Sequence, residues 1–370
     1  MLEGKKLHFV VPRYHTNMVP WVKALQENGA VVSMDVLVRG RTEDHTLIEP
    51  VIWEDGTISA FINKFRKEEG VNKPFTFPSI RVYWRYLKEL NPDVVVVRDP
   101  SRYFSRLVML CTAFLPCQLV LYNQAPLWGK TTKIRRWIVY FINVCFKAKW
   151  MTPVYGETKP GHETLPRHYF VPFTANWVGR QKVYDKVEFN ILSIGKFEER
   201  KEHLTLIQAL IQLGDIIPNW RLTWVGELSS EVHKEWHKIV IDFVEKQGLA
   251  NKVFITLNVK PVQMPKFYQE ADLFILPSKR EPASISVIEA LAFGLPVICS
   301  NENGTRCYIR DLENGKIFQA GNVSSLQNAI MTIYHEVLNR EQGFFANAQS
   351  VSKQIISNDN FLESFKRMLS

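Results

Sequence analysis

The chain has 370 residues, a formal net charge of +9 at pH 7 and a hydrophobic content of 46%. That length suits two domains of ordinary size, each able to bury a core. No apolar run reaches the ~18 residues of a membrane span, and the N-terminal Met-Leu-Glu-Gly-Lys-Lys lacks a signal-peptide h-region. The five cysteines, odd in number and without metal-binding spacing, favour a reduced cytoplasmic protein.

The positive charge is concentrated in the first half of the chain. Residues 1–180 hold 25 Lys and Arg against 15 Asp and Glu, a net +10, whereas residues 181–370 hold 21 against 22. This asymmetry indicates an anionic partner for the first half. Because no nucleic-acid recognition motif accompanies the charge, nucleic acid is not an expected partner.

Strands and helices alternate through the first half, which predicts an α/β domain over residues 1–175. Predicted strands lie near Leu7–Val11, Val31–Val38, Asp93–Arg98, Gln118–Asn123 and Trp150–Val154. Predicted helices lie near Met18–Asn28, Pro78–Leu90, Tyr103–Phe114 and Thr131–Phe146. Residues 172–188 are polar and lack periodicity, so they are the best linker to a second domain.

The last of these helices carries basic residues at both ends. Arg135-Arg136-Trp137 and Lys147-Ala148-Lys149-Trp150 bracket the apolar run Ile138–Phe146. Basic residues and tryptophans beside apolar residues are typical of a segment that lies on an anionic membrane surface. A core-packed helix with basic ends is the alternative interpretation.

Three polar residues of the first half follow predicted strands and are candidates for contacting a substrate. Asp99 follows the apolar strand Val94–Val97 and can bind substrate hydroxyls, although an Asp before Pro100 also suits a plain turn. Asn123 follows the next strand and can hydrogen-bond a sugar, but it cannot take a proton. His15 lies in the first loop, where a lone histidine is either incidental or within reach of the site.

The second half opens with a strand that ends at Gly195, where backbone can approach a ligand closely. Lys196 and Lys201 follow it, and two lysines there could neutralise a diphosphate without a metal; solvated surface lysines are the alternative. Gly226 and Asn258 end later strands and could border a nucleotide, or each could belong to an ordinary turn. Further strands are predicted near Arg221–Val225 and Val253–Leu257, and helices near Ser230–Gln247 and Ser324–Leu338.

The most informative segment is strand, loop, helix and strand over residues 272–299, a parallel crossover that favours a doubly wound sheet. The helix is predicted to start near Ser284, a good N-cap residue, so the N–H groups of Ile285 and Ser286 would suit a phosphate. Glu281 in the loop and Glu289 in the second helical turn can flank one ligand. Since carboxylates repel anions, the two glutamates should bind hydroxyls. A phosphate with sugar hydroxyls on both sides describes a nucleotide sugar.

These motifs resemble the retaining nucleotide-sugar glycosyltransferases of family 4. The family pattern has two glutamates separated by seven residues, matched by Glu281 and Glu289, and an upstream Gly-Arg and Lys-Gly, matched by Gly195-Lys196 and Lys201-Glu202. Lys196 replaces an arginine and loses its bidentate fork. Glu202 replaces a glycine of the turn. The resemblance extends over about residues 188–345.

The resemblance implies a GT-B fold, with two Rossmann-like doubly wound domains facing a central cleft. An acceptor-binding domain would cover 1–175 and a donor-binding domain 188–345, while a C-terminal helix within 346–370 would cross back to the first domain. The chain would then be a hexosyltransferase-type enzyme without a cofactor or metal. The resemblance also places Glu281 at the donor sugar hydroxyls and Glu289 at the ribose. No Asp-x-Asp metal pair is present in the sequence.

The expected acceptor is a lipid-linked, lipopolysaccharide or other cell-surface glycan, met at the cytoplasmic face of the membrane. A transferase acting on a small sugar or sugar phosphate is one alternative. A non-catalytic nucleotide-sugar-binding homologue is another.

Overall fold

The computed structural model describes residues 2–14, 18–39, 46–65, 75–181, 187–340 and 342–370. Its contacts divide the chain into Met1–Phe173 with Asn358–Ser370, here the N-terminal unit, and Thr174–Ser357, here the C-terminal unit. The first boundary falls within the predicted linker 172–188. Residues 182–186 of that linker lie outside the described residues.

The N-terminal unit is built on a parallel sheet. Its described strands are β1 (Lys6–Val10), β2 (Val31–Val36), β3 (Val51–Ile52), β4 (Val94–Arg98), β5 (Gln118–Tyr122), β6 (Trp128–Gly129), β7 (Lys149–Thr152), β8 (Glu163–Thr164) and β9 (His168–Phe170). The helices are α1 (Val19–Glu27), α2 (Thr57–Lys64), α3 (Ile80–Leu90), α4 (Tyr103–Thr112) and α5 (Lys133–Phe146). Seven of these described strands form one sheet in the order β3-β2-β1-β4-β5-β7-β9, and β6 pairs with β8 alone.

The sequence of β4 explains its place near the middle of that sheet. Its four valines, 94–97, are all buried, as expected of a parallel strand with helices on both faces. The side chains that cover one face come from α3, α4 and α5, including Leu87, Val108 and Val139. One part of the core of the unit therefore lies between this layer of helices and the sheet.

The C-terminal unit repeats the architecture. Its described strands are β10 (Phe189–Ile194), β11 (Trp220–Gly226), β12 (Val253–Leu257), β13 (Leu273–Leu276), β14 (Val297–Ser300) and β15 (Gly315–Phe318). Its helices are α6 (His203–Gln212), α7 (Glu231–Lys246), α8 (Met264–Glu270), α9 (Ile285–Ala292), α10 (Val323–Arg340) and α11 (Gln342–Ile355). The described strands pair in parallel in the order β12-β11-β10-β13-β14-β15, which is the doubly wound Rossmann order.

The α/β class and the doubly wound sheets predicted from the sequence are confirmed. The predicted strands and helices agree with the structure to within a few residues. Several short elements were not predicted, because runs of two to eight residues carry little periodicity; these are β3, α2, β6, β8, β9, α8 and β15.

The C-terminal segment differs from the single helix expected within residues 346–370. It forms α11, which packs on α9 and α10 of the C-terminal unit, and a separate helix, α12 (Asn358–Leu369), which belongs to the N-terminal unit. The reason lies in the side chains of α11. Phe345 and Ala348 are buried in the C-terminal unit, and the Arg180 guanidinium lies 4.0 Å from the centroid of the Phe345 ring.

The basic segment around α5 is also only partly as expected. Trp137 is 69% exposed, whereas Lys149 and Trp150 belong to β7 and are buried. The Trp150 ring stacks on His168, and the Lys149 ammonium donates to the carbonyl of Leu369 at 2.9 Å. Their place in a buried strand therefore removes these two residues from the predicted membrane-facing set.

Candidate functional site

The candidate site of the C-terminal unit lies where the strand order of its sheet reverses. The neighbours β10 and β13 are parallel, with Leu192 paired to Phe274, and their following loops leave the same edge of the sheet. Helix connections run in opposite directions from this point, which leaves a crevice for a ligand. The loops after β10 and β13 are the two segments that the sequence singled out.

Glu281 and Lys201 meet at this crevice. The Lys201 Nζ lies 2.5 Å from Glu281 Oε2, and both side chains are about one-tenth exposed. The loop that carries Glu281 is held by two backbone hydrogen bonds, from Glu281 N to Glu302 O and from Gly304 N to Glu281 O. The pairing joins two sequence motifs that are 80 residues apart.

Gly195 makes the position of Lys201 possible. A Cβ placed on Gly195 would lie 3.3 Å from both Cδ and Cε of Lys201, a tight contact that the lysine would have to relieve by a shift of a few tenths of an ångström. The glycine therefore lets the aliphatic part of the lysine run along the backbone at the end of β10. In this structure, the atoms that approach the backbone of Gly195 closely belong to the Lys201 side chain.

Arg200 is a member of the site that was not predicted from the sequence. Its Nη1 lies 2.8 Å from Glu281 Oε2 and its Nε lies 2.7 Å from Glu198 Oε2. Glu198 Oε1 also contacts His233 Nε2 at 3.3 Å. Burial alone would raise the pKa of Glu198, but Arg200 and His233 outweigh it and hold that pKa below its ordinary value. The one available signal for Arg200 was its position next to Lys201 in the same motif.

The turn before α6 keeps its left-handed geometry although Glu202 stands where the resembled family has glycine. Glu202 has φ +56°. Its carboxylate accepts from Thr205 Oγ1 at 2.5 Å and pairs with Lys279 Nζ at 2.6 Å. These two contacts hold a backbone conformation that a residue with a side chain seldom adopts.

The helix α9 begins at Ile285, as predicted. Ser284 occupies the N-cap position, but its Oγ bonds to Ser286 Oγ at 2.8 Å and does not cap the helix. The first N–H groups of the helix therefore have no intrahelical partner and no serine cap. They carry partial positive charge at the start of α9.

Glu289 lies one turn into α9 and is half-buried. Its Oε2 accepts a hydrogen bond of 2.6 Å from the hydroxyl of Tyr268, a fully buried residue of α8. Burial raises the pKa of Glu289 above its ordinary value, and the bond from Tyr268 acts in the opposite direction. No sequence signal pointed to Tyr268, because α8 is too short to show a pattern.

Three other predicted residues of this unit lie at or just after the ends of β10, β11 and β12. Lys196 is exposed, with Nζ 3.7 Å from Glu227 Oε2. Gly226 has a packing reason, since a Cβ there would lie 2.1 Å from the ring of Phe197. Asn258, at φ +53°, ties two loops together by accepting from Leu228 N at 3.0 Å.

In the N-terminal unit, Asp99 and Asn123 follow adjacent strands as predicted. Asp99 has φ +52°, and its Oδ2 lies 3.7 Å from Arg98 Nε and 3.6 Å from Arg102 Nε. Asn123 Oδ1 accepts from Ala125 N at 2.9 Å. The remaining candidate, His15, lies outside the described residues.

Two kinds of feature are absent from the described residues. These residues contain no cluster of three or more His, Cys, Asp and Glu arranged to hold a metal ion. No helix in the described ranges is long and apolar enough to cross a membrane.

Comparison with solved structures identifies the fold over nearly the whole chain. A glycosyltransferase from Rickettsia africae has a TM-score of 0.70 at 16% identity, with 99% of both chains covered. The Anabaena protein HepE, solved in complex with UDP, has a TM-score of 0.72 at 13% identity with the same coverage. At this identity the likeness shows the fold alone, and it confirms the expected GT-B class.

Sequence comparison with individual relatives covers less than half of the chain. A lipopolysaccharide core biosynthesis glycosyltransferase of Rhizobium meliloti is 29% identical over 146 residues, 39% of this chain and 38% of the relative. An alpha-monoglucosyldiacylglycerol synthase of Acholeplasma laidlawii is 27% identical over 165 residues, 43% of this chain and 39% of the relative. The matches therefore span less than half the length of these relatives.

A family model locates the matching part. The model described as glycosyl transferases group 1 matches residues 180–350, which fall within the C-terminal unit and include both glutamates and Lys201. The similarity to the glycosyl transferases group 1 family therefore covers the C-terminal unit of this protein.

Proposed function

We propose that this chain is a retaining glycosyltransferase that moves a sugar from a nucleotide-diphosphate donor to a glycan or lipid-linked acceptor. The C-terminal unit would bind the donor and the N-terminal unit the acceptor. The observation that carries the proposal is the convergence of Lys201 and Arg200 on Glu281 at the edge of the sheet where its strand order reverses. The family match of residues 180–350 supports it.

The cations and the start of α9 suit a leaving diphosphate. Negative charge grows on that group as the glycosidic bond breaks, and fixed positive charge stabilises it without reorganisation. Lys201 is buried and Arg200 is half-buried, so both act where screening by water is reduced. The uncapped N–H groups of α9 add hydrogen-bond donors for the same phosphate.

Glu281 has one carboxylate oxygen that can serve the sugar. In the described part of the chain, both hydrogen bonds to its side chain end on Oε2. Oε1 is then available to accept from a donor sugar hydroxyl, while Oε2 holds the two cations in place. Glu281 would thus position the diphosphate-binding groups and the sugar at once.

Glu289 suits the ribose of the donor. A carboxylate can accept from two neighbouring hydroxyls. Tyr268 holds Oε2 and leaves Oε1 to the ligand. Gly195, Lys196, Gly226, Asn258, Ser284, Ile285 and Ser286 remain proposed donor-binding positions around these two glutamates, and Asp99 and Asn123 remain proposed acceptor-side positions.

The proposed acceptor is lipid-linked or part of a cell-surface glycan, met at the cytoplasmic membrane face. The net positive charge of the chain is concentrated in the N-terminal unit. In addition, α5 exposes a row of large apolar side chains, namely Ile134, Trp137, Ile138, Tyr140, Phe141 and Val144. The name of one Escherichia coli relative, 32% identical over 70 residues, specifies a diphosphoundecaprenol-linked substrate, which supports an acceptor of this class.

A panel of nucleotide sugars tests the donor proposal. One donor should raise the melting temperature and support transfer in the presence of EDTA, because Lys201 and Arg200 supply the charge that a metal would otherwise bring. Glu281→Ala should lower turnover by about a hundredfold or more. Glu289→Ala should mainly weaken nucleotide binding, since the ribose hydroxyls lose their acceptor.

Glu235→Ala, on the exposed face of α7, is the matched control and should keep wild-type activity. Wild-type transfer by folded Glu281→Ala and Glu289→Ala would refute the assignment of the site. Donor binding without transfer to any glycan would favour a non-catalytic binding protein.

A further inference from the structure

The N-terminal unit has its own point of strand-order reversal, between β1 and β4. The two strands are parallel, with Val10 paired to Val97, and further strands extend on both sides of them. The chain leaves β4 through Arg98 and Asp99 and begins α4 after Arg102. These residues therefore lie at the edge of the sheet where doubly wound domains bind ligands.

Two arginines flank the carboxylate of Asp99 at this edge. Arg98 Nε lies 3.7 Å and Arg102 Nε lies 3.6 Å from Asp99 Oδ2, and the side chains of the two arginines are only 14% and 19% exposed. Both distances exceed a normal charged hydrogen bond of about 2.8 Å. With two guanidinium groups and one carboxylate, Arg98, Asp99 and Arg102 have a formal charge of +1 between them, and both arginines are largely buried.

Arg98 has unused hydrogen-bonding capacity. Its Nη1 is buried and has no hydrogen-bond partner among the described residues. A buried guanidinium N–H without an acceptor is unfavourable, so such a group indicates a ligand that accepts from it.

The backbone holds both arginines in place. Asp99 N donates to Tyr122 O at 3.1 Å, and Arg102 N donates to Asp99 O at 3.1 Å. Ser105 Oγ donates to Arg98 O at 2.8 Å, and the Arg98 guanidinium lies 5.5 Å from the centroid of the buried Tyr122 ring. Asp99 keeps φ +52° within this network, a strained conformation typical of functional loops.

We propose that Arg98 and Arg102 form a binding site for a phosphate group of the acceptor. Planar guanidinium groups bind phosphate oxygens through paired N–H donors, which a tetrahedral oxyanion can accept from two sides. Asp99 is then a positioning residue that separates the arginines, and it does not act on a substrate hydroxyl. The proposal rests on the proposed function, because that function makes the N-terminal unit the acceptor-binding unit.

The acceptor phosphate can belong to a soluble sugar phosphate or to a lipid. The test uses calorimetric titration of the full chain with two probes, glycerol 3-phosphate and phosphatidic acid in neutral nanodiscs. Every titration is repeated in Lys201→Gln, which removes the buried cation of the C-terminal unit. A phosphate-binding event with the same affinity in the wild-type protein and in Lys201→Gln survives the loss of that cation and does not depend on it.

Arg98→Gln and Arg102→Gln should each weaken that surviving event about tenfold or more, the usual cost of removing a charged hydrogen bond. Arg106→Gln is the matched control, because Arg106 lies one turn further along α4, is exposed and carries the same charge. It should change the affinity by less than about twofold. If Arg98→Gln and Arg102→Gln weaken the binding of glycerol 3-phosphate alone, the acceptor is a soluble phosphate. If they weaken the binding of phosphatidic acid alone, the acceptor is a lipid. Either result supports the site.

Arg98→Lys is the control for a folding defect, because lysine keeps the positive charge and an aliphatic side chain that can pack in the same place. It should retain the wild-type melting temperature and still bind phosphate more weakly. If Arg98→Gln, Arg98→Lys and Arg106→Gln bind both probes alike, the proposal is wrong. Nucleoside diphosphate titrations of the same variants report the C-terminal unit separately, so failure there would count against the proposed function and not against this site.

Discussion

At the scale of single residues, Gly226 has a packing role in addition to its proposed place beside the donor nucleotide. It ends β11 against Phe197, whose ring is buried and stacks on His203. Gly226→Ala would place a Cβ 2.1 Å from that ring, so strand or ring must shift. We expect the free energy of unfolding to fall by about 1–3 kcal/mol, measured by denaturant unfolding.

Gly343→Ala is the control for that substitution. Gly343 lies in α11, and a Cβ added there would have no neighbouring atom within 4 Å, so alanine should be neutral or slightly stabilising. An equal effect of the two substitutions would contradict a specific contact between Gly226 and Phe197.

The bond from Tyr268 to Glu289 predicts a pH effect. Because burial raises the pKa of Glu289 and this bond opposes the shift, Tyr268→Phe should raise that pKa further. The ionised carboxylate is the better acceptor for ribose hydroxyls. Nucleotide affinity should therefore fall on acidification in both proteins, and the fall should begin at a higher pH in Tyr268→Phe.

Calorimetric titration of a nucleoside diphosphate across the acidic and neutral range measures this shift. Tyr334→Phe, in α10, removes a hydroxyl away from Glu289 and should leave the pH profile unchanged. An unchanged profile in Tyr268→Phe would show that the ionisation of Glu289 does not control nucleotide binding.

The residues that the sequence identified best were those that follow strands. The position of Glu281 and Lys201 at one edge of the sheet could be predicted, because residues that follow the carboxyl ends of parallel strands lie at the same edge. Arg200 and Tyr268 could not, since nothing in the sequence orients a side chain toward a partner 81 or 21 residues away.

At the scale of elements, α5 packs Val139 into the core and also carries a row of exposed apolar side chains. Its residues Trp137 and Phe141 are 69% and 52% exposed, and their rings stack on each other. A groove of 720 Å³ runs between α5 and Leu165–Arg167. This surface combines aromatic side chains with the cations Lys133 and Arg136.

We expect the protein to co-sediment with anionic vesicles and to be released by about 0.5 M salt, because each basic residue contributes about 1 kcal/mol that salt screens. Replacing Arg135, Arg136 and Lys147 with glutamine should weaken binding at low salt. The double substitution Trp137→Gln and Phe141→Gln should weaken the vesicle binding that remains at high salt.

Lys149→Gln provides a contrast, since Lys149 is buried against the end of α12 and should affect stability more than vesicle binding. If the wild-type protein does not bind anionic vesicles at low salt, that result would favour a soluble acceptor. Nucleotide binding by the C-terminal unit should be the same in all of these variants.

Element boundaries were predictable where periodicity extends over several turns, as in α3 and α7. The division of the C-terminal segment between the two units was not, because α11 and α12 are both amphipathic and are separated by only Ile356 and Ser357. Their sequences indicate helices equally well. Which unit each helix joins depends on the apolar surface that the rest of the chain leaves uncovered.

At the scale of the whole molecule, α12 completes the core of the N-terminal unit from the far end of the sequence. Phe361, Phe365 and Met368 of α12 are buried there. The Phe361 ring stacks on Trp21 with the centroids 5.6 Å apart, and Trp21 Nε1 donates to Pro172 O at 3.0 Å. The N-terminal unit therefore lacks part of its core until α12 has been synthesised.

This arrangement predicts a selective loss of stability. Phe361→Ala should lower the free energy of unfolding of the N-terminal unit by about 3–5 kcal/mol, the usual cost of emptying a buried phenylalanine site. Phe344→Ala is the matched control, because Phe344 is equally buried in α11 and belongs to the core of the C-terminal unit. Hydrogen exchange resolved by segment should then show faster opening of residues 2–173 in the first variant and of residues 187–340 in the second. Stabilisation by a nucleotide should persist in Phe361→Ala, because the proposed donor site lies wholly within the C-terminal unit. Equal acceleration of exchange in both units by either variant would mean that the two units unfold as one.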